Sequence, residues 1–278
     1  MKQKGNFLLI EYTNFREWLK NQNITRTIKT LQVHHTWKPN YTTRKVVNGI
    51  GQQDKFSCLE SMRWSHIANG MSGTAQNITI FEDGWIGISL DRDLNKTPAG
   101  IKGANDKAIC IEIIGNFDVG GDKITDLHKK TIFHTYAALC EKFNLKPSVT
   151  TLPYHCWYTS SGTYLGDYSK TKSSKTCPGT NFMGYGNTRE SALKYFIPEI
   201  EKELKNGNLV TAIVPSADFF EASNDIMTLT SYERYDGNTL SHILGYCKGN
   251  DGMYGIEKYY NSLLSKTNGS LTINYHCD

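Results

Sequence analysis

The run from Ala108 to Gly115 limits the possible folds of this chain more than any other stretch. It reads Ala-Ile-Cys-Ile-Glu-Ile-Ile-Gly and is apolar almost throughout. Such a run is typical of a strand that is covered on both faces, so it predicts a central strand of a sheet. Its exception is Glu112, whose carboxylate is costly to bury unless it is paired or has a chemical role. We favour a general base over a salt-bridged or edge-facing glutamate, because buried acids with a raised pKa commonly have that role.

The segment from residue 30 to residue 35 predicts a second strand, because its residues alternate in character. One face carries Leu31, Val33 and His35, and the other carries Gln32 and His34. Only one of the two histidines can therefore point into a given site. The periodicity alone does not choose between them.

Other elements are predicted from their spacing. Residues 78–88 predict a hairpin with Asp-Gly at its turn. Apolar residues at helical spacing predict a helix from 125 to 143 and a closing helix from 193 to 204. Pro198 should kink the closing helix or mark a second start.

Three side chains of the types that can bind zinc come from three separate segments. They are one histidine of the His34-His35 pair, then His155, then Cys177. Zinc accepts such ligands, and three of them leave one position for water, as in a catalytic site. Lys175 adds to this hypothesis, because a neighbouring cation lowers a thiol pKa. Taken singly, each histidine or cysteine is more often a buried structural residue. A strand is expected to lead to His155.

Composition, charge and the apolar runs argue against a disordered protein, a protein with a signal peptide and a membrane-spanning protein. The chain has 278 residues, 38% of them hydrophobic, and a net charge of +4, which is typical of a globular protein with only weak attraction to polyanions. Its seven cysteines are odd in number and scattered, which favours a reducing compartment. The apolar run at residues 7–10 is too short for a signal peptide, and no run approaches the about 20 apolar residues of a membrane span. We therefore expect synthesis in the cytoplasm without a signal peptide.

A change in composition divides the chain. Lys205-Asn206-Gly207-Asn208 is a plausible linker, and beyond it Tyr, Asn and Ser are more frequent. We predict one domain over residues 1–206 and a second over residues 207–278.

Several segments together resemble the zinc-dependent N-acetylmuramoyl-L-alanine amidases, the type 2 amidases related to peptidoglycan recognition proteins. The segments are Val33–Thr36, Pro98–Asn105, Ile109–Asn116, His155 and Lys175–Gly179. The resemblance covers about residues 25–205 and is closest to endolysins of clostridial phages or prophages. It implies an α/β fold, with a central mixed β-sheet flanked by helices and a zinc groove, and we expect a small C-terminal α+β domain beside it.

The resemblance also implies a role for each matching position. His35, His155 and Cys177 match the ligands of Zn²⁺, the implied cofactor. Glu112 matches the general base that takes a proton from the zinc-bound water, and Lys175 matches the residue that stabilises the oxyanion. The implied reaction cleaves the amide between N-acetylmuramic acid and L-alanine in peptidoglycan. An endolysin or autolysin of this kind would act on the wall after lysis or holin-type export.

Other positions depart from the family or add to it. Some members use a Tyr on the strand before the Asp-Gly turn, where this chain has Gln76-Asn77-Ile78, so more of the chemistry falls to Glu112. His34, on the other strand face, would be a core residue or would support a ligand. Aromatic residues that could stack on sugar or peptide, or simply pack, are Trp37, Trp64, Trp157 and Tyr158.

The C-terminal part has a separate likeness. Residues 234–246 and 252–261 are similar to the pedestal, or dimerisation, module of class B penicillin-binding proteins, without the transpeptidase domain that normally follows. This implies a cell-wall-binding module or a homodimer contact, with a structural appendage as the alternative. We expect no nucleic-acid partner and no membrane insertion.

Two other functions stay open from the sequence. A non-catalytic peptidoglycan-binding protein could use the same scaffold, although receptors of this family commonly lack the cysteine present here as Cys177. A structural zinc site would need a fourth ligand, for which His34 or Cys156 is nearest. Each of these adjoins a proposed ligand, which is a poor geometry for closing one tetrahedron.

Overall fold

The computed structural model describes residues 1–213, 228–234, 241–247 and 271–277. The chain divides into two units, Met1–Lys205 and Asn206–Asp278. The strands of the first unit are β1 (Lys2–Lys4), β2 (Phe7–Glu11), β3 (Thr30–His35), β4 (Val46–Val47), β5 (Ile50–Gly51), β6 (Ile78–Ile80), β7 (Trp85–Ser89) and β8 (Ala108–Ile113). The helices are α1 (Tyr12–Lys20), α2 (Lys55–Ala68), α3 (Asp126–Lys142), α4 (Arg189–Ser191) and α5 (Ile197–Ile213).

A six-stranded mixed sheet forms the centre of the first unit. Its order is β1-β2-β7-β6-β8-β3, and β8 is parallel to both of its neighbours, β6 and β3. The other pairs, including the predicted hairpin of β6 and β7, are antiparallel. The strand β8, which the apolar run predicts to be central, thus has a strand on each side.

Helices flank both faces of this sheet, and the predicted α/β architecture is confirmed. On one face, apolar residues of β3 and β8 share a core with α1, α3 and the segment that leads into α5. On the other face, β2 packs against α2 through Phe7, Leu9, Leu59 and Met62. Towards β8 and β3 the second face carries the polar residues Gln32, His34 and Glu112, together with Cys110. This polar part of the sheet is the floor of the site described below.

The approach to His155 differs from the predicted strand. Tyr154 forms a single parallel bridge with Val33, whose N–H donates to Pro153 O at 3.0 Å. Because Pro153 has no N–H, it cannot donate a hydrogen bond to β3, and the pairing is limited to a single bridge. Residues His155–Trp157 then form a 3₁₀ turn.

The closing helix extends further than the sequence predicts. A π-helical turn at Ala192–Phe196 precedes α5, and Pro198 lies at the start of α5. Proline cannot donate the i→i−4 bond, and the π-helical turn accommodates it without a break, because Ser191, Ala192 and Ile197 all have helical backbone angles. The composition predicts a linker at residues 205–208, but α5 continues through them.

The second unit contains a three-stranded sheet. Its strands are β9 (Thr228–Arg234), β10 (Ser241–Cys247) and β11 (Leu271–Cys277). β10 lies in the middle, antiparallel to β9 and parallel to β11. The whole segment 252–261 and residues 235–240, which carry much of the pedestal likeness, lie outside the described residues. Among the helices that the structure describes, none is both long enough and apolar enough to cross a membrane.

A buried ion pair anchors the loop between β3 and α2. Arg44 Nη2 lies 2.8 Å from Glu82 Oε1, and both side chains are 0% exposed. Arg44 also donates through Nη1 to Gln53 O at 2.6 Å, and its guanidinium lies 4.9 Å from the centre of the Phe81 ring. Because this loop contributes Thr43 and Gln53 to the wall of the groove described below, the ion pair also helps to shape that wall.

The variant Arg44→Met is expected to lower the free energy of unfolding by about 3–5 kcal/mol, because Glu82 would keep a buried charge without its partner. Urea denaturation followed by tryptophan fluorescence would measure this loss. The double variant Arg44→Met/Glu82→Leu should recover most of it, since no charge is then left unpaired. A double variant at least as unstable as Arg44→Met would contradict this account.

Candidate active site

An open groove of about 1020 Å³ lies over the polar part of the sheet. His34 and Glu112 contribute to its floor, because the parallel register of β3 and β8 places these two residues directly opposite each other. α2 forms one wall, which includes Met62 and His66. Residues from distant segments of the chain line this groove together.

Three potential metal ligands converge in this groove. They are His34, His155 and Cys177, whose ligand atoms all lie within 4.8 Å of one another. His34 Nδ1 and His155 Nδ1 are 3.1 Å apart. Two nitrogens bound to one tetrahedral zinc at about 2.0–2.1 Å would be about 3.3 Å apart, so the spacing fits a shared ion. No fourth His, Cys, Asp or Glu joins this set among the residues that the structure describes.

The structure places His34, rather than the predicted His35, in this set. β3 alternates, so the two side chains project from opposite faces of the sheet. His35 Nδ1 accepts a hydrogen bond from Phe117 N at 3.1 Å, which ties its ring to the segment after β8. The His35 backbone N–H instead donates to Cys177 Sγ at 3.3 Å. His35 thus supports the cysteine through its main chain.

Two of the three side chains already have the protonation state that binds a cation, and the third must lose a proton. Burial lowers the pKa of His34 well below its usual value, and the neighbouring His155 and Lys175 lower it further. Burial, then Lys175, lowers the pKa of His155 to about 4. Both imidazoles are therefore neutral near pH 7 and have a lone pair to offer. Burial raises the pKa of the Cys177 thiol well above its usual value, so without a cation this thiol keeps its proton.

The loop that carries Cys177 is held by the Asp118 carboxylate and by a backbone hydrogen bond from Cys156. Asp118 accepts hydrogen bonds from Thr176 Oγ1 at 3.0 Å and from Thr180 N at 2.9 Å. Cys177 O accepts from Cys156 N at 2.8 Å. The Cys156 thiol lies 3.4 Å from Asn187 O, so that cysteine is engaged elsewhere and is not a fourth ligand.

Glu112, the predicted general base, lies beside the three possible ligands. Its Oε1 lies 3.8 Å from His34 Nδ1, beside the place where the three ligands converge. Its Oε2 is buried without a hydrogen-bond partner among the described residues. Burial raises the pKa of Glu112 to about 8, and the nearby Lys175 acts in the opposite direction. An unpaired buried carboxylate oxygen beside a neutral His/His/Cys set fits a cation at this point.

A second group of possible ligands overlaps the first. It consists of His34, Cys110 and Glu112. It uses the same His34, and burial together with the charge of Glu112 raises the pKa of the Cys110 thiol well above its usual value. Each set contains one cysteine, but the first has a second neutral imidazole, His155, in place of the Glu112 carboxylate, and it leaves that carboxylate uncoordinated.

Lys175 and the aromatic residues have different positions relative to the groove. Lys175 is exposed and lines it, as does Trp37, whose side chain is 59% exposed. Trp64 is 62% exposed but does not line the groove. Trp157 is fully buried, donates through Nε1 to Asn187 O at 2.9 Å and stacks on Tyr154, so it is a packing residue. Tyr158 is half-buried beside Tyr164.

Residues 24–180 match the family model described as Amidase_2, N-acetylmuramoyl-L-alanine amidase. The match spans more than half of the chain. The chain belongs to this family. All the groove residues discussed above, from His34 to Cys177, lie within the matched segment.

Solved structures of amidases and of a recognition protein are similar to this Amidase_2 chain. The endolysin amidase LysCS from Clostridium intestinale URNW is 20% identical over 56% of this chain and 78% of that chain, with a TM-score of 0.38. The amidase LysC from the same organism is 19% identical over 66% of this chain and 91% of that chain, with a TM-score of 0.40. Drosophila PGRP-LB is 15% identical over 63% of this chain and 85% of that chain, with a TM-score of 0.43. No curated protein is significantly similar to the chain.

Proposed function

We propose that this protein is a zinc-dependent peptidoglycan hydrolase that cleaves the amide between N-acetylmuramic acid and L-alanine. The observation that carries the proposal is the convergence of His34, His155 and Cys177 beside Glu112 in one groove. The Amidase_2 family supplies the substrate class. Zinc would be held by the two imidazoles and the thiolate, and when bound it lowers the pKa of water and polarises a carbonyl.

The side chains of this protein would supply the proton transfers and the charge. Glu112 removes a proton from the attacking water as the new bond forms between the water oxygen and the lactyl carbonyl carbon. Glu112 then delivers that proton to the alanine nitrogen, so that the C–N bond breaks and a neutral amine leaves. The Lys175 ammonium, at the groove, stabilises the negative charge that develops on the carbonyl oxygen.

A non-catalytic peptidoglycan-binding protein is the second function that this groove could serve. It would need the groove but no base. Glu112, half-buried in a central strand with its Oε2 buried and unpaired among the described residues, favours the enzyme, because burying such an oxygen is costly for a protein that only binds. We further propose that residues 207–278 bind the wall or form a homodimer, as expected of an endolysin or autolysin released by lysis or holin-type export.

Zinc removal is the most direct test of the proposed reaction. The purified protein is expected to hold about one zinc per chain and to release new N-terminal alanine from purified peptidoglycan. Dialysis against a chelator should abolish that release, and one equivalent of zinc should restore it, whereas Mg²⁺ should not, because its ligands are oxygens. Zinc bound without any bond cleaved would favour the binding protein. A protein that binds no zinc would contradict the proposal.

A further inference from the structure

We infer that Gln32 is a positioning residue for the proposed metal site: its side-chain carbonyl holds the His34 ring so that Nδ1 faces the ion. The inference rests on the proposed function, because it concerns how one ligand of that site is oriented. Gln32 Oε1 lies 3.3 Å from His34 Nε2, and the two side chains are neighbours on the same face of β3. A carbonyl oxygen can only accept, so His34 Nε2 carries the proton and Nδ1 keeps its lone pair.

The orientation of the Gln32 amide is determined by its other contacts. Gln32 Nε2 donates to Ala104 O at 2.9 Å and approaches Asn105 Oδ1 at 3.3 Å. A backbone carbonyl has no proton to give, so the NH₂ group must lie on that side and Oε1 on the side of His34.

The amide of Asn105 is oriented in the same way. Its Oδ1 accepts from Gly100 N and from Ile101 N, both at 2.9 Å. Both donors belong to the backbone and cannot reverse their role. The loop that contains these residues therefore fixes Asn105, which fixes Gln32, which in turn fixes the donor nitrogen of His34.

The backbone of Gly100 closes the space around this contact. A Cβ atom at Gly100 would lie 2.2 Å from Gln32 Oε1 and 3.1 Å from His34 Nε2. The Gln32 side chain is 0% exposed and His34 is 2% exposed. Water therefore has little access to replace the amide if it is removed.

The consequence is a ligand that is set before the ion arrives. With Nε2 bonded to Gln32, the only remaining ring nitrogen of His34 is Nδ1, which already lies 3.1 Å from His155 Nδ1. Without the Gln32 carbonyl, the ring could turn about its Cβ–Cγ bond and place a carbon where Nδ1 should be, or move its proton to Nδ1. Partners of this kind commonly account for about 10–100-fold in metal affinity.

The variant Gln32→Met, which has a similar volume but no carbonyl, tests the role of Gln32. Its zinc dissociation constant, measured by competition with a chromophoric chelator, is expected to rise by about 10–100-fold relative to the unmodified protein. The matched control is Gln76→Met. Gln76 is also fully buried and donates to Thr79 Oγ1 instead of contacting His34, so its loss should leave the zinc constant within about 3-fold, well below the outer-shell range.

A second measurement needs no variant and separates positioning from general destabilisation. Two-bond ¹H–¹⁵N spectra of the His34 imidazole, in the unmodified protein before and after zinc is added, should show protonated Nε2 in both states and a shift of Nδ1 on binding. A zinc-loaded spectrum with His34 Nδ1 protonated and Nε2 on the metal would overturn the inference. Equal zinc affinity in Gln32→Met and in the unmodified protein would also overturn the inference. If the unmodified protein bound no zinc, the proposed function itself would fail, which is a different outcome.

Discussion

Replacing His34 by alanine is expected to remove stoichiometric zinc binding, whereas replacing His35 is expected to retain it. His34 Nδ1 lies near His155 Nδ1 and Cys177 Sγ, so His34→Ala deletes one of the three proposed ligands. The loss in affinity should exceed about 100-fold, because even the loss of an outer partner costs about 10–100-fold. Release of alanine from peptidoglycan should fall to background in His34→Ala. Metal analysis after gel filtration and the chelator competition would measure the binding.

His35→Ala is a strict control for this experiment. It changes a histidine in the same strand and keeps the backbone N–H that donates to Cys177 Sγ. It does remove the acceptor of the Phe117 N–H, so some loss of stability is expected, and thermal unfolding of both variants should be recorded. If His35→Ala lost zinc and His34→Ala kept it, the ligand set proposed here would be wrong and the one implied by the family resemblance would replace it.

The variant Glu112→Gln is expected to separate chemistry from metal binding. Glutamine has nearly the same shape as glutamate but cannot accept the proton of the attacking water. We expect alanine release to fall by about 10²–10⁴-fold, the usual contribution of a positioned general base. Zinc content should stay at about one per chain, because the three proposed ligands are untouched.

Stability gives this experiment an independent check. The Oε2 atom of Glu112 is buried and unpaired among the described residues, so the neutral amide should fold at least as well as the acid. The matched control is Glu190→Gln, which changes an exposed glutamate outside the groove and should cleave peptidoglycan normally. Full activity in a zinc-loaded Glu112→Gln protein would exclude Glu112 as the base.

The strand that carries the first ligand shows what the sequence could have predicted. Leu31 and Val33 share a face with His35 and are fully buried in the main core, whereas Gln32 shares a face with His34. A polar residue in an otherwise apolar strand marks the face that leaves the core. The same logic applies to β8, where Cys110 and Glu112 alternate with three isoleucines. The alternation of β3 alone does not choose between the two histidines, but the polar residues Gln32 and Glu112 mark the face that carries His34, whereas the family resemblance pointed to its neighbour.

Other features depend on packing between distant segments. The contact between Gln32 and Ala104 joins residues 72 positions apart, and no spacing within either segment encodes it. The single bridge between Val33 and Tyr154 likewise depends on how the loop after α3 crosses the sheet. By contrast, the central strand, the hairpin and α3 follow from local periodicity, and the structure confirms them. Local patterns therefore predict the elements, while the partners of each site residue require the assembled fold.

The distance along the chain between the proposed ligands has a consequence for assembly. His34 and His155 are separated by 121 residues, and Cys177 lies later still. A zinc ion bound by all three would cross-link segments that are far apart in the sequence of the first unit, Met1–Lys205. It could be captured only after the first and last parts of that unit had met, when the entropy of closing so long a loop had already been lost. An incomplete or misfolded chain would therefore lack the zinc that the proposed reaction requires.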